Sequence, residues 1–332
     1  MEHSEIELVR AIRRVLSGQA PGVVIGVGDD AAVIEPGMFQ GLLTTDLLVE
    51  GVHFDLGSTS PRDLGHKAVT VNVSDVAAMG GSPRYGLTSI GLSAEVESAW
   101  VIELYGGMRE AADEYGMSLV GGDTSRSDQA VIAVAVYGQV AAGKAVTRAG
   151  ARPGDVLAVT GTLGASAAGL RIAKARSADQ KDLLSTEWGR DLLGRHERPV
   201  ARVGEGQALA QAGATAMIDL SDGLALDLFR VCEDSGVGAR VRLPDLPLAP
   251  GLVDLGEATG IDPFDLALHG GEDYELLAAL PPEAVDQARR DMVERYHTRL
   301  TTIGEVTEGP GMVAVRGDDE SPLEPKGWNH FA

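Results

Sequence analysis

Residues 141–155, with the sequence AAGKAVTRAGARPGD, interrupt the regular succession of apolar runs and turns in this chain. The segment is rich in small, glycine and basic residues and has no apolar periodicity, which is typical of a connection rather than of a core helix or strand. A chain of 332 residues is also long enough for two domains. We therefore expect one domain over residues 1–145 and a second over residues 146–332.

Both predicted domains mix strands with helices. In the first, Ser4 and Glu7 form a capping box ahead of an amphipathic helix, and short β-type runs follow near 23–27 and 41–46. A helix over 61–78 starts with a proline, which is favoured at the first helical position. Because several strands follow one another without an intervening helix, the pattern predicts a two-domain α+β fold rather than a doubly wound parallel sheet.

Charge and cysteine content limit the possible partners and location. The chain has 49 acidic and 28 basic residues, a formal net charge of -21, whereas nucleic acid and anionic lipid surfaces attract basic proteins. We therefore expect no nucleic-acid partner and no membrane partner. The start of the sequence resembles no signal peptide, and no apolar run has the length of a membrane helix. A single cysteine, Cys232, excludes an internal disulfide and favours the cytoplasm.

Acidic residues recur where an apolar run gives way to a turn. Each one alone is best explained as a cap or turn residue, because Asp side chains accept hydrogen bonds from nearby backbone amides. Their repetition favours a metal site, and oxygen ligands suit Mg²⁺ or Mn²⁺, which join carboxylates to substrate phosphates. The sequence therefore predicts metal-assisted phosphate chemistry. The acidic residues in this pattern are Asp29, Asp30, Asp46, Asp75, Asp123, Asp219, Asp222, Glu272 and Asp273.

Three other features each allow two interpretations. The glycine-rich stretch GTLGASAAG could hold a phosphate at a helix N-terminus, but it lacks the lysine of a P-loop. His53 is either a structural histidine or a contact to a substrate. The basic residues Lys144, Arg148 and Arg152 are either solvated charges of the connection or a clamp for an anion.

A series of motifs along almost the whole chain resembles the thiamine-monophosphate kinases, a family of the aminoimidazole-ribonucleotide-synthetase-like superfamily. The Asp-rich first half is common to the superfamily, whereas HGGEDYEL and KGW are specific to this family. In order, the motifs are GVGDDAAVI, TTDLLVEGVHF, KAVTVNVSDVAAMG, LVGGDTSRS, TRAGARPGD, VTGTLGASAAGL, IDLSDGL, HGGEDYEL and KGWNHFA.

The resemblance implies an activity and an architecture. The enzyme would transfer the γ-phosphoryl group of ATP to thiamine monophosphate, giving thiamine diphosphate and ADP, with the help of several Mg²⁺ ions. The first domain would be a β-sheet with flanking helices that forms a homodimer sheet to sheet. The second, an α+β domain, would complete the ATP and substrate site in a cleft between the domains.

The resemblance also implies roles for individual residues. The metal ions would be held by Asp30, Thr44, Thr45, Asp46, Asp75, Asp123, Asp219 and Asp222. ATP would contact Tyr105, Gly122, Asp123, Arg148 and Ser221. The thiamine substrate would contact His53, Glu272 and Trp328. Asp29 would be a turn residue or would lie outside the ligand shell.

The chemistry of the acceptor agrees with this residue set. A phosphate monoester has its second pKa near 6 and is mostly a dianion at neutral pH, so no strong general base is required. The difficulty is electrostatic, because two polyanions must approach in line. Two alternatives remain open: another ATP-using enzyme of the superfamily, such as aminoimidazole ribonucleotide synthetase, or a non-catalytic acidic protein that binds metal or nucleotide.

Overall fold

The computed structural model describes residues 14–15, 23–25, 33–34, 40–177 and 182–328. They form two compact units: unit 1 is drawn from Met1–Val76 and Gly81–Gly143, and unit 2 from Ala77–Gly80 and Lys144–Ala332. The assignment of separate functions to domains divided after residue 145 stays a prediction. The predicted opening helix, apart from residues 14–15, and the pair Asp29-Asp30 lie outside the described residues.

Unit 1 is built on a mixed sheet whose described strands lie in the order β3-β6-β4-β5. β6 is antiparallel to both β3 and β4, whereas β4 and β5 are parallel. A short antiparallel pair, β1–β2, precedes them. The strands are β1 (Val23–Ile25), β2 (Val33–Ile34), β3 (Gln40–Val49), β4 (Ser82–Leu92), β5 (Ser118–Arg126) and β6 (Val131–Val140).

Two helices of unit 1, α1 (Pro61–Ala78) and α2 (Ser98–Glu114), have their backbones in contact. A Cβ atom added to Gly65 of α1 would lie 1.9 Å from the Leu104 carbonyl oxygen, and one on Gly107 of α2 would lie 1.8 Å from that of Arg62. Only glycine allows this approach. The helix predicted at 61–78 is confirmed, with proline at its first position.

One face of this sheet is exposed and apolar. Side chains alternate along β3, so that Leu42 and Leu48 are buried whereas Leu43 is 84% and Leu47 52% exposed. Leu87 of β4 is also exposed. We call this surface the open face; it also carries the stacked rings of Tyr85 and Tyr137, whose centroids are 6.3 Å apart.

Unit 2 contains a larger mixed sheet with apolar cores on both faces. Its described strands lie in the order β13-β12-β9-β11-β7-β10-β8, and most neighbours are antiparallel, with β9 and β12 parallel. Alternate residues of β7 serve different cores: Leu157 and Val159 lie in one and Ala158 in the other. The strands are β7 (Val156–Thr160), β8 (Ala216–Asp219), β9 (Gly238–Arg242), β10 (Leu276–Leu280), β11 (Leu300–Thr307), β12 (Gly311–Arg316) and β13 (Asp319–Pro322).

Helices flank this sheet and confirm the α+β class predicted for the chain. No helix of the described residues has both the length and the apolar character needed to cross a membrane. The helices of unit 2 are α3 (Ala165–Ser177), α4 (Asp182–Ser185), α5 (Glu187–Glu197), α6 (Val203–Ala212), α7 (Leu224–Ser235), α8 (Leu252–Thr259), α9 (Pro263–His269) and α10 (Val285–Tyr296).

Candidate functional site

In unit 1, predicted metal ligands lie where β3 faces α1. The Asp46 backbone amide donates to Oδ1 of Asn72 at 2.9 Å, and the Thr44 hydroxyl donates to Oδ2 of Asp75. Burial raises the pKa of the Asp75 carboxyl, while the Thr44 hydrogen bond lowers it. A carboxylate that is desolvated in this way would be stabilised by a nearby cation.

Thr45 and Asp123 do not join that group directly. The Thr45 hydroxyl donates to the Val134 carbonyl at 3.1 Å, because neighbouring residues of a strand point to opposite faces. Asp123 pairs in register with Ser89 of the adjacent strand. Burial raises the pKa of Tyr105 in α2, and the nearby charge of Asp123 raises it further. Tyr105 itself is buried.

Close packing of two strands explains why a glycine stands at position 122. A Cβ atom at this position would lie 1.8 Å from the carbonyl oxygen of Thr88 in the neighbouring strand. Glycine therefore permits the close approach of β4 and β5 at the point where Asp123 follows. Gly122 is therefore required by packing, whether or not it contacts a nucleotide.

His53 lies in the turn after β3, where the main chain holds its ring. The Val49 amide donates to Nδ1 of His53 at 3.0 Å, so the neutral ring carries its proton on Nε2. This contact agrees with the structural interpretation of His53. The thiamine contact at this residue stays a prediction.

In unit 2, backbone hydrogen bonds bring three distant motifs together around the loop 220–223. The Leu220 carbonyl accepts from the Tyr274 amide at 2.9 Å, and the Ser221 carbonyl from the Glu272 amide at 2.8 Å. The Asp222 carbonyl accepts from the Trp328 amide at 3.0 Å. Predicted metal, nucleotide and substrate residues of IDLSDGL, HGGEDYEL and KGW therefore lie side by side. Buried Asp219 ends β8 immediately before this loop.

Glu272 occupies a strained backbone position and is held by a histidine. Its φ is 66° and that of Tyr274 is 50°, a left-handed region that costs non-glycine residues of order 1–3 kcal/mol and that clusters at functional sites. Oε2 of Glu272 lies 3.4 Å from Nδ1 of His196, which also hydrogen-bonds to the Ser166 hydroxyl at 2.9 Å. These contacts place the predicted substrate carboxylate beside His196.

Asp273, unlike its neighbour Glu272, binds backbone amides at the N-terminus of α3. Its two carboxyl oxygens accept from the amides of Gly164 at 2.6 Å and Ser166 at 3.1 Å. Desolvation raises the pKa of Asp273 to about 7, although these two hydrogen bonds lower it. Asp273 therefore accepts from two amides at the N-terminus of α3, and a phosphate contact of GTLGASAAG stays a prediction.

Arg148 and Trp328 lie at the surface of unit 2. Nε of Arg148 forms a surface ion pair with Oδ2 of Asp234 at 2.5 Å, and its contact with ATP stays a prediction. The Trp328 side chain is 47% exposed, which leaves area of the indole ring open to a ligand.

The structure also shows residues that the sequence analysis missed. Asn72 anchors Asp46, and its position one helical turn before Asp75 in VNVSD could have suggested a shared face. Arg230 pairs with Asp222 at 2.6 Å and with Asp227 at 2.7 Å, and no spacing rule joins a helix residue to a preceding loop.

Within the described part of the chain, no three His, Cys, Asp or Glu side chains form a group that could hold a metal ion. Predicted ligand Asp30 lies outside that part.

Comparison with known proteins supplies the family. Residues 28–140 match the family model "AIR synthase related protein, N-terminal domain", and residues 152–316 match the corresponding C-terminal domain. A thiamine-monophosphate kinase of Bacillus subtilis is 36% identical over 314 residues, covering 93% of this chain and 94% of the relative.

Solved structures agree with the sequence comparison. The crystal structure of thiamine-monophosphate kinase from Stenotrophomonas maltophilia is 34% identical with a TM-score of 0.81, covering 94% of this chain and 96% of that one. A second structure, AaThiL complexed with AMPPCP and TMP, is 37% identical with a TM-score of 0.78. The match covers 98% of this chain and 97% of that one.

Proposed function

The chain belongs to the thiamine-monophosphate kinase family of AIR synthase related proteins, and we propose from this premise that it phosphorylates thiamine monophosphate with ATP to give thiamine diphosphate and ADP. The observation that carries this conclusion is the match over nearly the full length of a structure that binds AMPPCP and TMP. ATP is accordingly the co-substrate. The arrangement of IDLSDGL, HGGEDYEL and KGW around one loop supports the same conclusion.

We propose direct, in-line transfer without a covalent enzyme intermediate. The acceptor is already a dianion at neutral pH and needs no strong base, and phosphoryl transfer depends mainly on positioning and charge stabilisation. The protein's part is then to hold two anions in line and exclude water. No side chain is assigned as an acid, base or nucleophile.

We propose that Mg²⁺ ions assist the reaction. The donors available are hydroxyl and carboxylate oxygens, which suit this ion, and a cation would offset the desolvation that raises the pKa of Asp75. Bound Mg²⁺ would offset the repulsion between the phosphates. The residues proposed to hold it are Asp30, Thr44, Thr45, Asp46, Asp75, Asp123, Asp219 and Asp222.

We assign the remaining predicted residues to the two substrates. Glu272, which lies beside His196, and the exposed indole of Trp328 are proposed to bind the thiamine rings, since an aromatic cation gains from a carboxylate and from a ring face. His53 is proposed as a third substrate contact. The residues proposed to contact ATP are Tyr105, Gly122, Asp123, Arg148 and Ser221.

We propose that two copies of the chain associate through the open face of unit 1. Leu43, Leu47 and Leu87 expose apolar surface on one side of a sheet, where a monomer would leave them in water. A second copy with the same surface would cover them and form a symmetric interface.

We also propose a location in the reducing cytoplasm, which is supported by the presence of only one cysteine in the sequence.

An assay of ATP-dependent thiamine diphosphate formation tests the function. The purified chain should convert thiamine monophosphate and ATP to thiamine diphosphate and ADP in equal amounts. Formation of aminoimidazole ribonucleotide serves as the control for the alternative superfamily activity. Turnover of the control substrate with none of thiamine monophosphate would overturn the proposal.

A further inference from the structure

Two side chains of α7 hold the loop that carries Asp222. Oδ2 of Asp227 accepts from the amides of both Asp222 and Gly223 at 3.1 Å. Nη1 of Arg230 donates to Oδ1 of Asp227 at 2.7 Å, and Nη2 donates to Oδ2 of Asp222 at 2.6 Å. One residue therefore fixes the loop backbone, and the other joins the Asp222 side chain to the helix.

Burial and steric constraint make this arrangement stiff. The Asp227 side chain is fully buried and that of Arg230 is 34% exposed, so water has no access to the Asp227 carboxyl. Gly223 has φ of 115°, and a Cβ atom there would lie 2.9 Å from the carbonyl carbon of His269. The loop thus has little freedom to move Asp222 by rearranging its backbone.

The pairing leaves the two oxygens of Asp222 in different situations. Oδ2 is occupied by Arg230, whereas Oδ1 has no hydrogen bond or ion pair to any residue that the structure describes. Oδ1 of Asp222 is therefore held in one position, where it can act as a metal ligand. Mg²⁺ requires near-ideal geometry, and residues that orient its ligands are often as important as the ligands themselves.

We propose that Asp227 and Arg230 are positioning residues that orient Asp222 before nucleotide binds, so that a single oxygen, Oδ1, meets the Mg²⁺ of the Mg²⁺–ATP complex. The inference rests on the proposed function. A helix cap would need only Asp227, which accepts from the amide of the N-cap residue Gly223. The bridge from Arg230 to Asp222 adds nothing to the helix end and is explained by orientation of the ligand.

Two readouts test the proposal, and one of them does not depend on turnover. The dissociation constant of AMPPCP is measured by calorimetry in Mg²⁺ and in EDTA, and the Mg²⁺ concentration for half-maximal activity is measured in the steady state. The variants are Arg230→Gln and Asp227→Asn. The matched control is Arg242→Gln, because Arg242 pairs with Asp245 at 2.6 Å three residues away but lies apart from this loop.

We expect Arg230→Gln and Asp227→Asn to weaken AMPPCP binding about tenfold in Mg²⁺ but less than twofold in EDTA. The Mg²⁺ requirement should rise by a similar factor, and the KM for thiamine monophosphate should stay within twofold. Arg230→Lys keeps the charge but reaches one partner, and should recover part of the loss. Arg242→Gln should leave all these quantities unchanged.

Equal weakening in Mg²⁺ and in EDTA, or no weakening in either, would overturn the proposal and leave the pair with a purely structural role. Where Arg230→Gln does not fold by circular dichroism, Arg230→Lys decides by the same comparison. A chain that binds AMPPCP in this Mg²⁺-dependent way but does not phosphorylate thiamine monophosphate would refute the proposed function and not the positioning role.

Discussion

Asp273→Asn should make the stability of unit 2 less dependent on pH. In the folded chain the pKa of Asp273 is raised from 3.8 to about 7, so folding favours its protonated form. The stability of the folded chain with protonated Asp273 is fully present below pH 3.8, where the carboxyl is protonated in the folded and unfolded states. It is lost as the pH rises from there through about 7. The two pKa values differ by about 3, which at 1.36 kcal/mol for each pH unit corresponds to a loss of at most about 4 kcal/mol in the free energy of unfolding at high pH.

Asparagine is neutral at every pH and keeps one oxygen for the amides of Gly164 and Ser166. Its nitrogen faces the other amide, so the variant loses about 1 kcal/mol by a missing hydrogen bond. We therefore expect Asp273→Asn to be the less stable form near pH 4. The order should reverse as the wild-type carboxyl ionises, and the difference between the two curves should change by about 3 to 4 kcal/mol between pH 4 and pH 8.

Urea unfolding followed by tryptophan fluorescence measures this difference. In a Trp100→Phe background, the remaining tryptophans, 188 and 328, both belong to unit 2. The control Asp262→Asn makes the same change at the exposed N-terminus of α9, where the side chain accepts from the Phe264 amide at 2.9 Å. A stability difference for Asp273→Asn that does not vary with pH would refute the reasoning from desolvation.

Three further outcomes follow from the assigned residues. Asp46→Asn should raise the Mg²⁺ requirement and reduce kcat far more than Asp29→Asn; equal losses with unchanged Mg²⁺ dependence would contradict the ligand assignment. Trp328→Ala should raise the KM for thiamine monophosphate about tenfold with little effect on ATP, since ring stacking and cation–π attraction are worth on the order of 1–2 kcal/mol. Trp328→Phe should recover most of that loss, whereas equal weakening of both substrates would indicate a tail anchor. The double variant Leu43→Glu, Leu47→Glu should be monomeric by light scattering, and a persistent dimer would exclude the open face as the interface.

Elements with a strong local signal could be predicted from the sequence. The helix at 61–78 has a proline start and an apolar interior, and the structure gives the same bounds. The strand predicted at 41–46 is longer, Gln40–Val49, because pairing with β6 extends it. Local pattern determines the type of such elements, whereas tertiary pairing determines their ends.

The faces of the sheet could not be predicted in the same way. The run LLTTDLLV in β3 has leucines on both faces, and only the packing of α1 decides that Leu42 is buried and Leu43 exposed. Contacts between residues that are distant in the sequence could not be predicted from local patterns either. The pairing of Arg230 with Asp222 and the turn of Asp273 towards α3 depend on loop geometry, and the left-handed φ of Glu272 is unexpected for a non-glycine residue.

The three backbone hydrogen bonds at loop 220–223 also form at different times in a newly made chain. Trp328 follows Asp222 by about a hundred residues, which a ribosome adds in about 5 to 20 s at roughly 5 to 20 residues per second. Throughout that interval the Asp222 carbonyl lacks the amide that later pairs with it. A nascent chain can therefore form the contacts of loop 220–223 with residues 272–274 before the contact to Trp328, so the substrate site proposed here would be the last part to close.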